Sequence, residues 1–314
     1  MMNSSFGDLD TAQDYDGYYN DYYNVSDSYE NTEENSPSDL GLFIWQGIIF
    51  IPYCIGFVGN GYIIWLLGCQ IKRNRFTTFI LHLAIADFGY ITSIFIIDIA
   101  FLAKIQDDDI FLHIWAFFYN LMYINSNFLL TAISIDRCVA VLFPIWHRCS
   151  RPKHLSSKVC VLLWISSFLL SGIWRIINIF GRDSEFNFHF FVTAIVCLPL
   201  ITISTVILFI TMRLKIKQRN QGRLLLMILI TLLCFLILTF PLSVLTVIIN
   251  FPGTNFVEKL KYPVIYSMLL ACINSSINPV IYYLVGRRKR AQSKESVKVI
   301  LQKVFNEGEA TGER

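Results

Sequence analysis

The sequence predicts an all-α membrane protein: a seven-transmembrane helix bundle with a short amphipathic helix at its cytosolic end. Three observations carry this expectation. Of the 314 residues, 54% are hydrophobic and only 16% charged, where soluble domains carry about 25% charge, and the mean hydropathy is +0.52. Seven apolar runs each approach or exceed the ~20 residues that a bilayer span requires. Lys and Arg fall almost wholly on one side of the membrane once those runs are threaded through it. The hydrophobicity excludes disorder for the bulk of the chain, and 16 Gly and 9 Pro with no fixed period exclude a collagen-like fibre.

Residues 1–41 precede the first run as an acidic, Tyr-rich leader. Residues 1–39 hold ten of the 23 Asp and Glu and no Lys or Arg, so a solvated, disordered tail is expected. It offers N-glycosylation sequons at Asn3 and Asn24. Tyr15, Tyr18, Tyr19, Tyr22, Tyr23 and Tyr29 stand among acids, as in tyrosine-sulfation substrates. There is no basic start followed by a short apolar segment, so the first run is expected to act as its own insertion signal.

The runs are 43–67, without charge; 77–103, interrupted by Asp87 and Asp98; 110–135, uncharged; 159–180, with Arg175 near its end; 186–212; 224–251; and 262–286. All are too long for strands, and only helices satisfy so much backbone in lipid when each run spans alone. Residues 42–286 therefore form one helical domain. Pro52, Pro199, Pro241 and Pro279 each remove a backbone donor and permit a kink. In 287–305, Ala291, Val297, Ile300, Leu301, Val304 and Phe305 share one face among basic residues, which predicts a helix lying on the inner leaflet before a tail at 306–314.

Orientation follows from the basic residues. One side holds only Lys104, Arg175, Arg182, Lys259 and Lys261; the other holds the remaining 21 of 26. The N-terminus is therefore outside and the C-terminus cytosolic. Acids run the other way, with 17 of 23 on the outer side. A third sequon, at Asn274, lies within the last span and is expected to stay unused.

Polar groups inside spans are expensive and mark functional candidates. Asn60, Asp87, Ser126, Asn274 and Asn278 form such a set, with Asn274 and Asn278 one helical turn apart. Two readings stand: interhelical hydrogen bonding, or a watered pocket in which hard oxygen ligands and Asp87 hold Na⁺. Asp136 and Arg137 are the first charges after the neutral third span; an Arg held by its neighbour in one state can donate to another protein in a second. Tyr119, Met122, Tyr123 and Ser126 repeat at helical spacing, as a pocket wall or as helix packing. None of the eight Cys forms a CxxC pair, and most lie in apolar runs as small hydrophobes. No Ser/His/Asp set, HExxH, P-loop or dinucleotide fingerprint is present, so no enzyme is expected.

Together, Gly59-Asn60, Leu83-Ala84-Ile85-Ala86-Asp87, Asp136-Arg137-Cys138, Trp164, Pro199, Pro241 and Asn278-Pro279-Val280-Ile281-Tyr282, one motif per span, resemble the rhodopsin-like G-protein-coupled receptors over about residues 42–305. The stretches 130–138 and 141–154, and Ile273 to Pro279, look like the Mas-related branch. Thr239 stands where most such receptors carry a toggle Trp, an absence typical of that branch. Leu112 occupies the usual Cys position and 182–190 has no Cys, so the common outer disulfide is not expected; Asn178 and Asp183 stand near an alternative pair's positions.

The resemblance implies a plasma-membrane receptor that binds an extracellular ligand and activates a heterotrimeric G protein through Arg137, with Pro241, Pro279 and Tyr282 in the moving parts. A transporter is the competing class, but no internal repeat is visible and the seventh run has no Lys for a retinal. Tyr119 replaces the third-span Asp that binds amines in related receptors. Asp98, Asp107, Asp108, Asp109, Asp183, Glu185 and Glu258 make a negative mouth, with Trp174 and Phe180 as aromatic wall. The expected partners are a basic peptide or cationic amphiphile, the G protein and membrane lipids, and no nucleic acid. Capture of a basic protein by a sulfated tail, as in chemoattractant receptors, is the alternative. Na⁺ is the expected ion and no other cofactor is implied. Gln221 in place of an acid clamp on Arg137 predicts ligand-free signalling.

Overall fold

The computed structural model describes residues 39–71, 73–102, 109–152, 154–180, 193–214, 222–249, 257–287, 297–299, 301–302 and 305. Among the described residues seven long helices follow in order: α1 Asp39–Trp65, α2 Arg75–Leu102, α3 Asp109–Leu142, α4 Leu155–Phe180, α5 Leu198–Leu214, α6 Gly222–Ile249 and α7 Val257–Arg287. Single π-helical turns, Leu66–Gln70, Trp146–Ser150 and Thr193–Cys197, extend α1, lead towards α4 and open α5. Pro199 is the second residue of α5, so it follows a wide turn instead of interrupting a regular helix as its place in the fifth run had led us to expect. Pro52, Pro241 and Pro279 do lie inside helices.

The helices close into a ring: α1 packs on α2 and α7, α2 on α3, α5 on α6, and α6 on α7. The third helix sits innermost and touches α2, α4, α5 and α6. This explains its composition. Continuous apolar spans occur at Gly47–Gln70, Arg75–Ala100, Leu155–Ile177 and Ala194–Thr211 among the described residues. By contrast α3 buries Asn120, Asn125, Ser126, Asn127, Thr131 and Ser134. A helix surrounded by protein has polar partners within reach and little lipid to face. The fourth helix is the opposite case: Leu162, Ile165, Phe168, Leu169 and Ile176 are at least half exposed, which in water would be a large apolar patch and in a bilayer is the lipid face.

Two apolar layers fill the bundle. The inner one includes Leu66, Leu83, Leu129, Met227, Phe235 and Tyr282; the outer one includes Tyr53, Tyr90, Tyr119, Tyr123 and Cys272. Close helix contact depends on missing side chains. A Cβ at Gly59 would stand 2.9 Å from Pro279 Cβ, and one at Gly56 would overlap Ile91 and Ser276 of the neighbouring helices. The Trp164 indole donates to His82 Nδ1 at 3.1 Å and ties α4 to α2.

The start of α2 is capped reciprocally. Asn74 Oδ1 accepts from the backbone N–H groups of Phe76 and Thr77 at 3.0 and 2.7 Å, while Thr77 Oγ1 accepts from Asn74 N at 2.7 Å. The spare amide of Asn74 donates to the Phe305 carbonyl at 3.0 Å. That contact bears on the amphipathic segment. Helical residues 297–299, 301–302 and 305 dock on the inner end of the bundle, with Leu301 and Phe305 buried in its inner layer and Phe305 edge-on to Tyr282. Its apolar face thus contributes to the receptor core, while Val297 remains exposed. Ala291, Ile300 and Val304 lie outside the described residues, as does the whole leader with Asn3, Asn24 and its tyrosines.

Candidate functional site

The midplane site grows from two sequence facts: a carboxylate on α2 and a proline on α7. Asp87 is fully buried. Its Oδ1 accepts from Ser126 Oγ of α3 at 2.6 Å, and its Oδ2 from Asn278 Nδ2 of α7 at 2.8 Å. Ser275 adds a further hydroxyl donor. One carboxylate therefore fastens three helices. Pro279 lacks the N–H that would have bonded the carbonyl four residues earlier, Ser275 O. Asn60 Nδ2 of α1 donates to that carbonyl at 3.0 Å. The kink-prone point of α7 is thus satisfied by a side chain from another helix. Ser276 Oγ reinforces the seam by donating to Pro52 O at 2.8 Å. Asn274 is buried on the same α7 face.

Asp87 has amide and hydroxyl donors but no Lys, Arg or His within 4.0 Å among the described residues. When ionised, a buried carboxylate so placed has no opposite charge beside it, and its neighbours are oxygen-bearing side chains. Those residues fit a small hard cation such as Na⁺. Among the described residues no group of three or more His, Cys, Asp and Glu could hold a metal by itself.

At the inner end, Asp136 accepts from Arg137 Nε at 3.0 Å and more closely from Arg137 Nη2. The Arg137 guanidinium also lies over the Phe76 ring, 4.7 Å from its centroid. The neighbour-held arrangement is the one observed. Residues beyond this pair complete it. Arg151 Nη1 reaches Asp136 Oδ1 at 2.6 Å, Arg151 Nη2 donates to Ser156 Oγ at 2.8 Å, and His147 Nε2 stands beside both Arg151 and Asp136. Arg75 Nη1 donates to the His147 carbonyl at 3.3 Å. Burial disfavours the charge on Arg151, Asp136 supports it, and Arg137 and Arg75 oppose it, so its pKa lies below the ordinary arginine value. From the sequence, Arg151 counts only as a loop cation and His147 only as a scattered histidine. The signal was the imbalance of a membrane-edge acid beside several cations, which spacing alone does not assign to partners.

At the outer end, Tyr53 donates its hydroxyl to Asp98 Oδ2 and packs edge-on against Phe95. Tyr119 and Tyr123 are buried, with ring centroids 5.3 and 5.6 Å from Tyr90. Met122 faces Gly89 of α2, and Ser126 belongs to the Asp87 set. In this arrangement the four-residue stripe packs on α2. Trp174 is buried, and its neighbour Arg175 donates to the His113 carbonyl at 3.0 Å, joining the outer ends of α4 and α3. Thr239 is buried, two residues before Pro241 in α6. Glu258 falls within α7, but its side chain, like Asp183, Glu185 and Gln221, lies outside what is described. All eight cysteines are unpaired, Cys54, Cys69 and Cys149 being exposed.

A helical ring with a buried polar hub, a proline-bearing seventh helix and a cation-rich inner edge defines a membrane receptor. Residues 59–282 match the family described as "7 transmembrane receptor (rhodopsin family)". The chain is 32% identical to the proto-oncogene Mas of Homo sapiens over 303 residues, covering 90% of this chain and 89% of that one. It is 38% identical over 273 residues to Mas-related G-protein coupled receptor member H of Rattus norvegicus, covering 84% of each. To member X1 of Homo sapiens it is 32% identical over 269 residues, covering 82% of each. The chain belongs to the rhodopsin family of seven-transmembrane receptors, on the branch of Mas and the Mas-related receptors. It is a multi-pass membrane receptor and not an enzyme; membership implies an extracellular ligand and coupling to a G protein.

Proposed function

We propose that this receptor responds to a cationic extracellular ligand, a basic or amphipathic peptide, docked shallowly at the outer end of the bundle. The acidity of the outer side carries the reading: 17 of 23 Asp and Glu lie there. A mouth of one sign concentrates ligands of the other. Asp98, held by the Tyr53 hydroxyl, whose ring in turn packs on Phe95, offers a carboxylate beside an aromatic pair. Asp183, Glu185 and Glu258 add acids to the same outer side in the sequence, and Tyr119, Met122, Tyr123 and Trp174 would form the wall and floor of the site.

From that floor the signal has a short route. Tyr119 and Tyr123 press on Tyr90, one turn of α2 from Asp87, and Asp87 holds α3 and α7. A ligand that favours another packing of this layer shifts a two-state equilibrium. In the active state α6 swings about Pro241, Pro279 and Tyr282 shift with α7, and Arg137 leaves Asp136 to donate to the G protein. Na⁺ at Asp87 would compensate the buried charge and favour the resting packing. Without a Trp at Thr239 or an acid at Gln221, the resting state is weakly held and ligand-free signalling follows. Cells expressing the receptor should therefore show G-protein activation above that of mock-transfected cells, and equal levels would contradict weak resting closure.

The test of ligand class is Asp98→Asn. Loss of one charge-assisted bond, worth about 1.5–3 kcal/mol, lowers the potency of a Lys/Arg-rich amphipathic peptide by about tenfold or more, with surface expression unchanged. Equal potency would refute the assignment of Asp98. Deleting residues 1–39 separates tail capture from docking at the mouth: unchanged potency excludes the chemoattractant-like alternative.

A further inference from the structure

A cavity of about 430 Å³ opens on the lipid-facing side of the inner half of the bundle. The fourth and fifth helices both pack on α3, but make little contact with each other among the described residues. The gap between them is lined by apolar side chains, including Phe128 and Ile135 of α3 and Val159 and Leu163 of α4. Its inner end is different: Asp136, His147 and Arg151 form it, with Trp146 at the rim. Ile135 and Trp146 are 40% and 44% exposed, so the groove is open to the bilayer.

The charge at that end is unbalanced. Arg137 and Arg151 share the single carboxylate of Asp136, and Arg75 reaches the adjoining His147 carbonyl. Lys158 is exposed on α4, three residues after Leu155 and one before Val159, both of which line the groove. An apolar slot with a surplus of positive charge at its cytosolic mouth complements an anion carrying a hydrocarbon chain. The inner leaflet supplies that chemistry. We infer that this groove binds one anionic phospholipid of the cytoplasmic leaflet, its acyl chain between α3, α4 and α5 and its phosphate at the rim marked by His147 and Lys158.

The site is independent of the agonist proposed above, and its test uses neither agonist nor G protein. The full-length receptor is placed in phosphatidylcholine nanodiscs with a minor fraction of chain-brominated lipid, and tryptophan quenching is read. Brominated phosphatidylserine should quench several-fold more effectively than brominated phosphatidylcholine. The excess should vanish in Trp146→Phe, which locates it. It should fall toward unity in Lys158→Gln, an exposed substitution that leaves the fold intact, and in Ala132→Phe, which fills the slot. Equal quenching by the two lipids, an excess retained in both Lys158→Gln and Ala132→Phe, or quenching of Trp146 by brominated cholesterol as strong as by the serine lipid would each overturn the proposal.

Discussion

Asn60 and Asp87 act as connectors whose worth depends on what stands opposite. Removing the Asn60 amide leaves the Ser275 carbonyl without a donor, because Pro279 cannot supply one. An unsatisfied buried group costs about 1–3 kcal/mol, so Asn60→Ala should lower the melting temperature of the purified receptor by several degrees. A stability equal to that of the unsubstituted chain would show that water or a rearranged α7 replaces the amide. At the inner edge, Asp136→Asn removes the acid that retains Arg137 and Arg151. Ligand-free G-protein activation should rise about threefold or more, the order expected when about 0.6–1 kcal/mol of bias is removed from a two-state equilibrium. An unchanged or reduced basal level would mean that the pair does not hold the resting state. The polar residues at both places were legible in the sequence, because any amide or acid within an apolar run calls for a partner. The partners were not. Whether Asn60 meets Ser275 O or Asn278, or whether Asp136 takes one arginine or two, depends on helix rotation and on a loop turn that hydropathy does not encode.

Among the elements, α1 and α7 meet at Gly59 and Pro279 more closely than any side chain allows. Gly59→Val should force the two apart, costing about 1–3 kcal/mol as overpacking, and should reduce surface expression; expression matching the unsubstituted receptor would show that α1 yields freely. Most spans were readable to within about five residues from apolar length alone, although α3 runs seven residues past the third apolar run, to Leu142. The fifth was a second exception, since its outer residues 186–192 are outside the described structure and its regular helix begins at Leu198 after a π-turn. The amphipathic segment was also readable as a helix with one apolar face, but not as a plug. Only the three-dimensional placement of Tyr282 and Asn74 shows where Leu301 and Phe305 seat. Phe305→Ser should therefore destabilise the receptor itself, lowering its melting temperature in detergent where no leaflet is present. A loss confined to bilayers would instead mark the segment as a membrane anchor alone.

For the whole molecule, the charge distribution and the polar hub describe one device. In the proposed mechanism acids outside meet the ligand and cations inside meet the G protein and the anionic leaflet, while between them lie the buried Tyr119–Tyr90 pair, the Asp87–Asn278 hydrogen bond and Tyr282. The distribution was plain from the sequence, because positive residues stay cytosolic during insertion. The aromatic stripe of α3 was ambiguous there; the structure packs Tyr119 and Tyr123 on Tyr90 of α2, and we propose that this layer is the floor beneath a shallow site. The most direct test is G-protein dissociation in intact cells challenged with a Lys/Arg-rich amphipathic peptide and with its Glu-substituted counterpart, for the unsubstituted receptor and for Arg137→Ala at matched surface density. The basic peptide alone should evoke dissociation, and Arg137→Ala should abolish it. A response to the acidic peptide of equal size, or one that survives loss of Arg137, would contradict the link between an anionic outer mouth and a cationic inner switch.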